Sequence, residues 1–341
     1  MIATRRSVLT LLAAAALPLK ARAAAEAIRL GLLHTLSPAP FFIAQERGLF
    51  RDQGLDVSFR FFEAAQPIAA AAVAGDIDLG VTALTGGFFS LASKGALRVI
   101  GGGLHERPGW EGSAILVSAK AYAAGLTSVD KLPGHSFAIT QYGSSFHYML
   151  GRIAEAAKFD LSRVTLRPLQ TVPNMLAALR TGQVDATIAI ASQAKPLVAS
   201  GEAHILAWAG DLVPYQITAL FTTARMIAER PDALRRFALA YRKGVAVYRA
   251  AFFRRGPDNA PIRDAETDVA VKDIEKYVFT GDPNAAQRII EGVGSYDPDG
   301  ALDAADVAAQ LGWFEAHGMV KGETDPKAII DTRFLPVLGD D

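Results

Sequence analysis

Four stretches of the chain place hydroxyls, amides and glycines where a strand hands over to a helix, the kind of turn at which small solutes are commonly held. The richest is Gln141-Tyr142-Gly143-Ser144-Ser145, directly ahead of a helical pattern starting at Phe146. Glycine lets the backbone approach a ligand closely. Ser144 and Ser145 add hydroxyls and amides at the positive end of the helix, where a carboxylate, sulfonate or phosphate fits. Ser144 also suits the N-cap, and capping is compatible with ligand contact. His147 falls in the first helical turn and faces either a ligand or the outer helix surface.

The second stretch, His34-Thr35-Leu36-Ser37-Pro38, leads into Phe41 and Phe42. Ser37 offers a hydroxyl. One of the two rings belongs in the core, and the other, or His34, can wall a pocket. The third runs from Thr82 to Gly87, with Thr85, Gly86 and Gly87 forming a second glycine-rich helix entrance. The fourth, Ala189 to Gln193, contributes Ser192 and Gln193 as polar contacts. Trp110 and Tyr215 flank two expected crossovers, where a ring either closes over a ligand or packs a hinge. None of the four loops contains Arg or Lys, and nearby Arg107 sits in an Arg-Pro-Gly turn. An organic solute with one acidic end and an apolar body therefore suits them better than an inorganic anion.

Enzyme signatures are missing. The chain has no Gly-x-Ser-x-Gly elbow, no Gly-x4-Gly-Lys phosphate loop and no His-Glu-x-x-His metal helix. Gly101-Gly102-Gly103 follows a strand without the dinucleotide spacing. Six scattered histidines and no cysteine offer no metal-ligating pattern and no disulfide.

The elements that must position these loops alternate strand and helix. Strands are expected at 28–33, 55–61, 77–81 and 97–100, with helices at 41–47, 67–74 and 88–94 between them. After Gly109 the pattern restarts, with strands at 113–117, 136–140, 164–169, 184–190 and 205–208 and helices at 146–158 and 173–180. Such alternation predicts mostly parallel, helix-covered sheets. Beyond Pro231 the character turns to long amphipathic helices, 234–249, 265–277 and 307–317. The tail 331–338 is expected to pack, with Trp313 and Phe314 in the core beneath it. The economical reading is α/β with two lobes: 25–112 plus 216–341 as lobe one, 113–215 inserted as lobe two. Crossovers near 110–116 and 214–222 would form the hinge. About 317 residues also exceed the size at which one core usually stops growing.

Residues 1–24 read as an export signal: basic start, a mostly Leu/Ala run to Leu19 and a small-x-small end at Ala21/Ala23. Arg5-Arg6 followed by Ser7-Val8-Leu9 suits the twin-arginine route, and the lack of cysteine rules out a lipidated anchor. Without Arg5, Arg6, Lys20 and Arg22 the mature chain holds 31 basic against 35 acidic residues, a net charge of about −4. That balance opposes nucleic acid or an anionic membrane as partner.

Five segments carry a family resemblance in order along the chain. They are PFFIAQERGLFRDQGLDVSF (40–59), AAVAGDIDLGVTALTGGFFSLASKG (71–95), YGSSFHYMLGRIAEAAKFD (142–160), MLAALRTGQVDATIAIASQAKPLV (175–198) and HGMVKGETDP (317–326). Together they resemble the periplasmic binding proteins of nitrate, sulfonate, taurine and thiamine-precursor importers. The resemblance implies a hinged, type II-like two-lobe fold, a ligand clamped in the cleft, and delivery to an ABC permease and its ATPase; no cofactor is expected, and a monomer is the simplest expectation. A periplasmic sensor or adaptor stays open as an alternative. So does a thiamine-pyrimidine-synthase-like enzyme, although the cysteine-rich loop of those cytosolic enzymes has no counterpart here.

Overall fold

The computed structural model describes residues 24–258 and 260–339. The expected export signal, apart from residue 24, lies outside them. Along the chain, β1 (Glu26–Leu33), α1 (Ala39–Glu46), α2 (Leu49–Asp52), β2 (Leu55–Phe62) and α3 (Ala65–Ala74) come first. They are followed by β3 (Leu79–Ala83), α4 (Gly86–Ala92), β4 (Leu97–Gly102) and the short β5 (Leu104–Glu106). The second αβ run holds β6 (Ser113–Ser118), α5 (Ala119–Ala123), β7 (Ser136–Ile139), α6 (Ser145–Ala157) and β8 (Thr165–Pro168). It continues with α7 (Val172–Arg180), β9 (Ala186–Ile190), α8 (Ala191–Ala199), β10 (Ala203–Trp208) and α9 (Ala209–Leu212). The return contains β11 (Tyr215–Gln216), β12 (Thr218–Thr223), α10 (Ala224–Glu229) and the long α11 (Pro231–Phe252). Last come α12 (Ala265–Glu275), α13 (Ala285–Glu291), β13 (Ser295–Tyr296) and α14 (Ala304–Ala316). No described helix is long and apolar enough to cross a membrane.

Two five-stranded sheets result, ordered β2-β1-β3-β12-β4 and β10-β6-β9-β7-β8. Each has one reversed strand. β12 runs antiparallel to both β3 and β4, and β6 runs antiparallel to both β9 and β10. In each case the reversed strand is the first that the chain enters after crossing from the other sheet. Residues 214–222, expected to be crossover, are thus mostly a central strand of sheet one. Thr218 to Thr222 are buried, and this β-branched and aromatic run suits a strand covered on both faces.

The physical reason for two lobes is visible in the cores. One apolar cluster lies between sheet one and α1, α11 and α12, holding Leu30, Phe41, Phe237 and Tyr241. Another fills the far face of sheet two, around Leu116, Met175 and Leu179. A third runs from Phe89 and Val99 of sheet one through Phe314 of α14 to Phe137 and Ile153 of sheet two. The C-terminal helix therefore braces both lobes instead of only covering the first. The tail packs as expected, Asp331 N–H donating to Val99 O at 2.8 Å while buried Leu335 meets Gly101.

At the crossovers three two- and three-residue strands form a small antiparallel sheet, β11-β5-β13. Glu106 is buried there and accepts the Ser113 N–H at 3.1 Å. Burial pushes its carboxyl up from the ordinary value. Asp297 receives His105 Nδ1 at 3.0 Å and pairs with Arg107. Burial acts to raise that acid too, but the His105 bond and the Arg107 charge outweigh it and hold it below the ordinary value.

Candidate functional site

Between the carboxyl edges of the two sheets lies a cavity of roughly 840 Å³, solvent at its mouth included. Lobe one faces it with Thr35 and Ser37 after β1, with Glu63 to Gln66 after β2, and with Thr85 after β3. Lobe two faces it with Gln141, Ser144 and Ser145 after β7, Val172 after β8, and Ile190 and Gln193 around the start of α8. Leu33, Leu104, Phe146, Met149 and Ile217 give it an apolar body. No Lys, Arg or His lines it.

The polar end is built by helix starts. Ser144 caps α6, its hydroxyl accepting the His147 N–H at 3.3 Å, and it lines the cavity as well. Ser145 and Phe146 occupy the first two helical positions, whose N–H groups have no partner inside a helix. The neighbouring α8 has Ile190 as N-cap with no side-chain cap; its first amide, Ala191 N–H, donates to Gly112 O at 2.8 Å, which leaves the following amides of the first turn. Because β7 and β9 are adjacent and parallel, these two helix starts open on the same region. Such convergent amides favour an anionic or strongly accepting group.

Across the cleft the lobes already touch. Gly86 N–H donates to Gly143 O at 2.9 Å, and the Gln141 side-chain amide donates to that of Gln66. Gly143 has φ 75°, a left-handed conformation that suits glycine. A Cβ at Gly87 would stand 2.9 Å from the Gln66 amide carbon, so glycine there makes room for this cross-cleft side chain.

The family described as NMT1/THI5 like matches residues 36–251, more than half of the chain. The chain belongs to that family. Among solved structures, the alkanesulfonate-binding protein SsuA of Xanthomonas axonopodis pv. citri, bound to MOPS, is 19% identical with a TM-score of 0.69. The alignment covers 90% of this chain and 98% of that one. The periplasmic aliphatic sulphonate-binding protein SsuA of Escherichia coli is 20% identical, covering 93% and 95%, also with a TM-score of 0.69. The nitrate-binding protein NrtA of Synechocystis PCC 6803 is 16% identical, covering 89% and 84%, with a TM-score of 0.65. No curated protein sequence matches the chain. At these identities the likeness speaks for architecture, and this NMT1/THI5-like chain has the two-lobed type II periplasmic-binding-protein fold with a hinged cleft.

The residues singled out from sequence divide sharply by position. Ser37, Thr85, Gln141, Ser144, Ser145 and Gln193 line the cavity. Phe41 and Phe42 do not: both are fully buried, Phe41 stacked on Tyr241 at 4.3 Å and Phe42 on Tyr277 at 4.6 Å. His34 lies exposed outside, over Phe61 at 4.9 Å and bonded to Tyr277 O. Trp110 packs on Phe253 at 4.7 Å in a separate groove, and Tyr215 is buried against Tyr148 at 5.4 Å, on β11 of the small crossover sheet. Ser192 points at Gly292 of the return segment. Gly86 and Gly87 serve the lobe contact just described, and Tyr142 stands 61% exposed next to Gln141. Sequence reasoning passed over Glu63 to Gln66 and Val172, although both follow strands and open helices as the chosen loops do. Among the described residues no group of three His, Asp or Glu could hold a metal.

His147 sits behind the α6 entrance, buried against Trp313 at 5.6 Å, its Nδ1 accepting the Gly143 N–H at 3.2 Å. Burial, and then the neighbouring His317, bring its pKa down to about 4. The unfolded chain, with a histidine pKa near 6.5, binds the extra proton first. Its stabilisation is therefore complete above about pH 6.5 and is lost as pH falls through 4. We expect His147→Gln to reduce the loss of urea stability between pH 7 and 4 by about 2–3 kcal/mol relative to the parent. Parallel pH profiles for parent and variant would count against a buried neutral His147.

Proposed function

We propose that the protein is the solute-capturing component of an ABC importer. It is exported through the twin-arginine signal read in residues 1–24 and works in the periplasm as a monomer. Lobe two, 113–215, closes on lobe one, 25–112 plus 216–341, by bending at the crossovers, and delivers its cargo to a permease and its ATPase. The solute is a small organic molecule with an acidic end held at the α6 and α8 entrances and an apolar body over Phe146, Met149 and Leu104. The carrying observation is the interlobe cavity itself, apolar in its body, free of cationic side chains, and met by helix starts from both sheets. Membership of the NMT1/THI5-like family supports the reading, as do the sulfonate- and nitrate-binding proteins that share its architecture. The role is binding without catalysis, in keeping with the sulfonate- and nitrate-binding proteins that share the architecture.

The test is a thermal-shift screen of mature protein, unfolded and refolded to strip carried-over ligand, against organic acids, sulfonates, amines and pyrimidines. A ligand bound only by the native state raises its apparent stability, by about 2.7 kcal/mol at a hundred times Kd. A saturable shift for one chemical class supports the importer reading and names that class. A well-folded sample unmoved by the whole panel counts against it.

A further inference from the structure

The cavity contains one charged side chain, and it is an acid. Glu63 closes the β2–α3 turn and lines the cavity from lobe one. It stands at the entrance of α3, whose N-cap is Ala64 and which has no side-chain cap. A carboxylate so placed could fold back on the free α3 amides. Among the described residues it instead forms no hydrogen bond and no ion pair. The nearest cation along the chain, Arg60, is committed to Asp76 at 3.4 Å and to the face of Phe62. No Lys, Arg or His elsewhere in the cavity lining offsets the charge. Helix starts thus open on the cleft from both lobes, α6 and α8 from lobe two and α3 and α4 from lobe one, while the charged side chain among its lining is the Glu63 carboxylate on lobe one.

A solute that is only an anion meets the favourable amides at one end and a repelling charge at the other. A solute with a cationic group opposite its acidic end satisfies both walls and links the lobes in doing so. We infer that Glu63 is a specificity-determining residue and that the solute is zwitterionic, with an ammonium or amidinium group seated on its carboxylate. The inference rests on the organic-acid reading above and adds the second charge to it. Two unit charges about 6 Å apart at an effective dielectric constant of about 40 interact by about 1.4 kcal/mol, which corresponds to about tenfold in affinity. Inorganic anions are disfavoured by the same field.

The experiment is titration calorimetry of the mature protein and of Glu63→Gln at low ionic strength, with probes matched in length. The pairs are 3-aminopropane-1-sulfonate with butane-1-sulfonate, and 4-aminobutanoate with pentanoate. In the parent, the amino member of a pair should bind about tenfold tighter. In Glu63→Gln that ratio should fall to about one, with affinity for the member lacking the amine unchanged or raised. Because Glu63 is exposed and unbonded, the variant should fold as the parent does. Tighter binding of the member lacking the amine to the parent, or a ratio that survives the substitution, overturns the role of Glu63 while leaving an organic-acid receptor standing. Binding of no member of either pair, by a protein that the screen shows to take an organic acid without a cationic group, overturns the zwitterion and leaves the organic-acid reading standing; no shift across the whole screen removes both.

Discussion

Ser144→Asp should leave the protein folded and lower its affinity for an acidic solute by about a hundredfold or more. The serine has two tasks: its hydroxyl accepts the His147 N–H at 3.3 Å, and its side chain forms part of the cavity wall. Aspartate is an equally good N-cap, so the first turn of α6 keeps its satisfied amide. The new carboxylate, however, occupies the region proposed for the solute's acidic end. Two like charges about 4 Å apart cost about 2–4 kcal/mol at effective dielectric constants between about 40 and 20. Loss of the hydroxyl as a donor adds to this. Calorimetry with the solute found by thermal shift, together with the urea midpoint of the variant, separates binding from folding. Undiminished affinity in a folded Ser144→Asp protein would move the acidic subsite away from α6. The result is independent of Glu63, which concerns the opposite wall.

Phe314→Ala should cost about 3–5 kcal/mol of unfolding free energy, among the largest single-residue effects the fold allows. The ring is fully buried on α14. It meets Phe89 of α4 at 5.6 Å on the lobe-one side and Tyr148 of α6 at 5.7 Å on the lobe-two side. Trp313 beside it lies over Gly151 of α6 and donates to Glu155 at 3.1 Å. Truncating Phe314 therefore leaves a void shared by both lobes, which neither can close by itself. Urea unfolding should show a lower midpoint at unchanged slope. A cost below about 1 kcal/mol would show that α14 does not brace the lobes through this ring.

Most elements were legible because their pattern is local. Ile28, Leu30 and Leu32 alternate into the core as a strand requires, and α11 repeats its buried face through Leu234, Phe237, Tyr241, Val245 and Tyr248. The strand-to-helix loops could be located for the same reason, since a period change from two to 3.6 marks where a strand ends and a helix begins. β5, β11 and β13 left no such trace. Strands of two or three residues are too short to show a period, and only their mutual pairing defines them.

The sequence by itself determined the α/β class, two αβ runs with a helical return, and a cleft entrance at Ser144 that caps and lines at once. Tertiary structure decided everything that depends on phase or on distant partners. Ser192 and Gln193 are consecutive on α8, yet they point about 100° apart, so only Gln193 reaches the cavity while Ser192 faces Gly292. Phe41 and Phe42 both turned inward because α11 and Tyr277, more than 190 residues away, supplied stacking partners on two sides. The place of β12 between β3 and β4, and the brace that α14 forms across the lobes, likewise rest on contacts between segments far apart in sequence. Periodicity tells a residue whether it has a buried face. Which neighbour fills that face is settled only when the whole chain has packed.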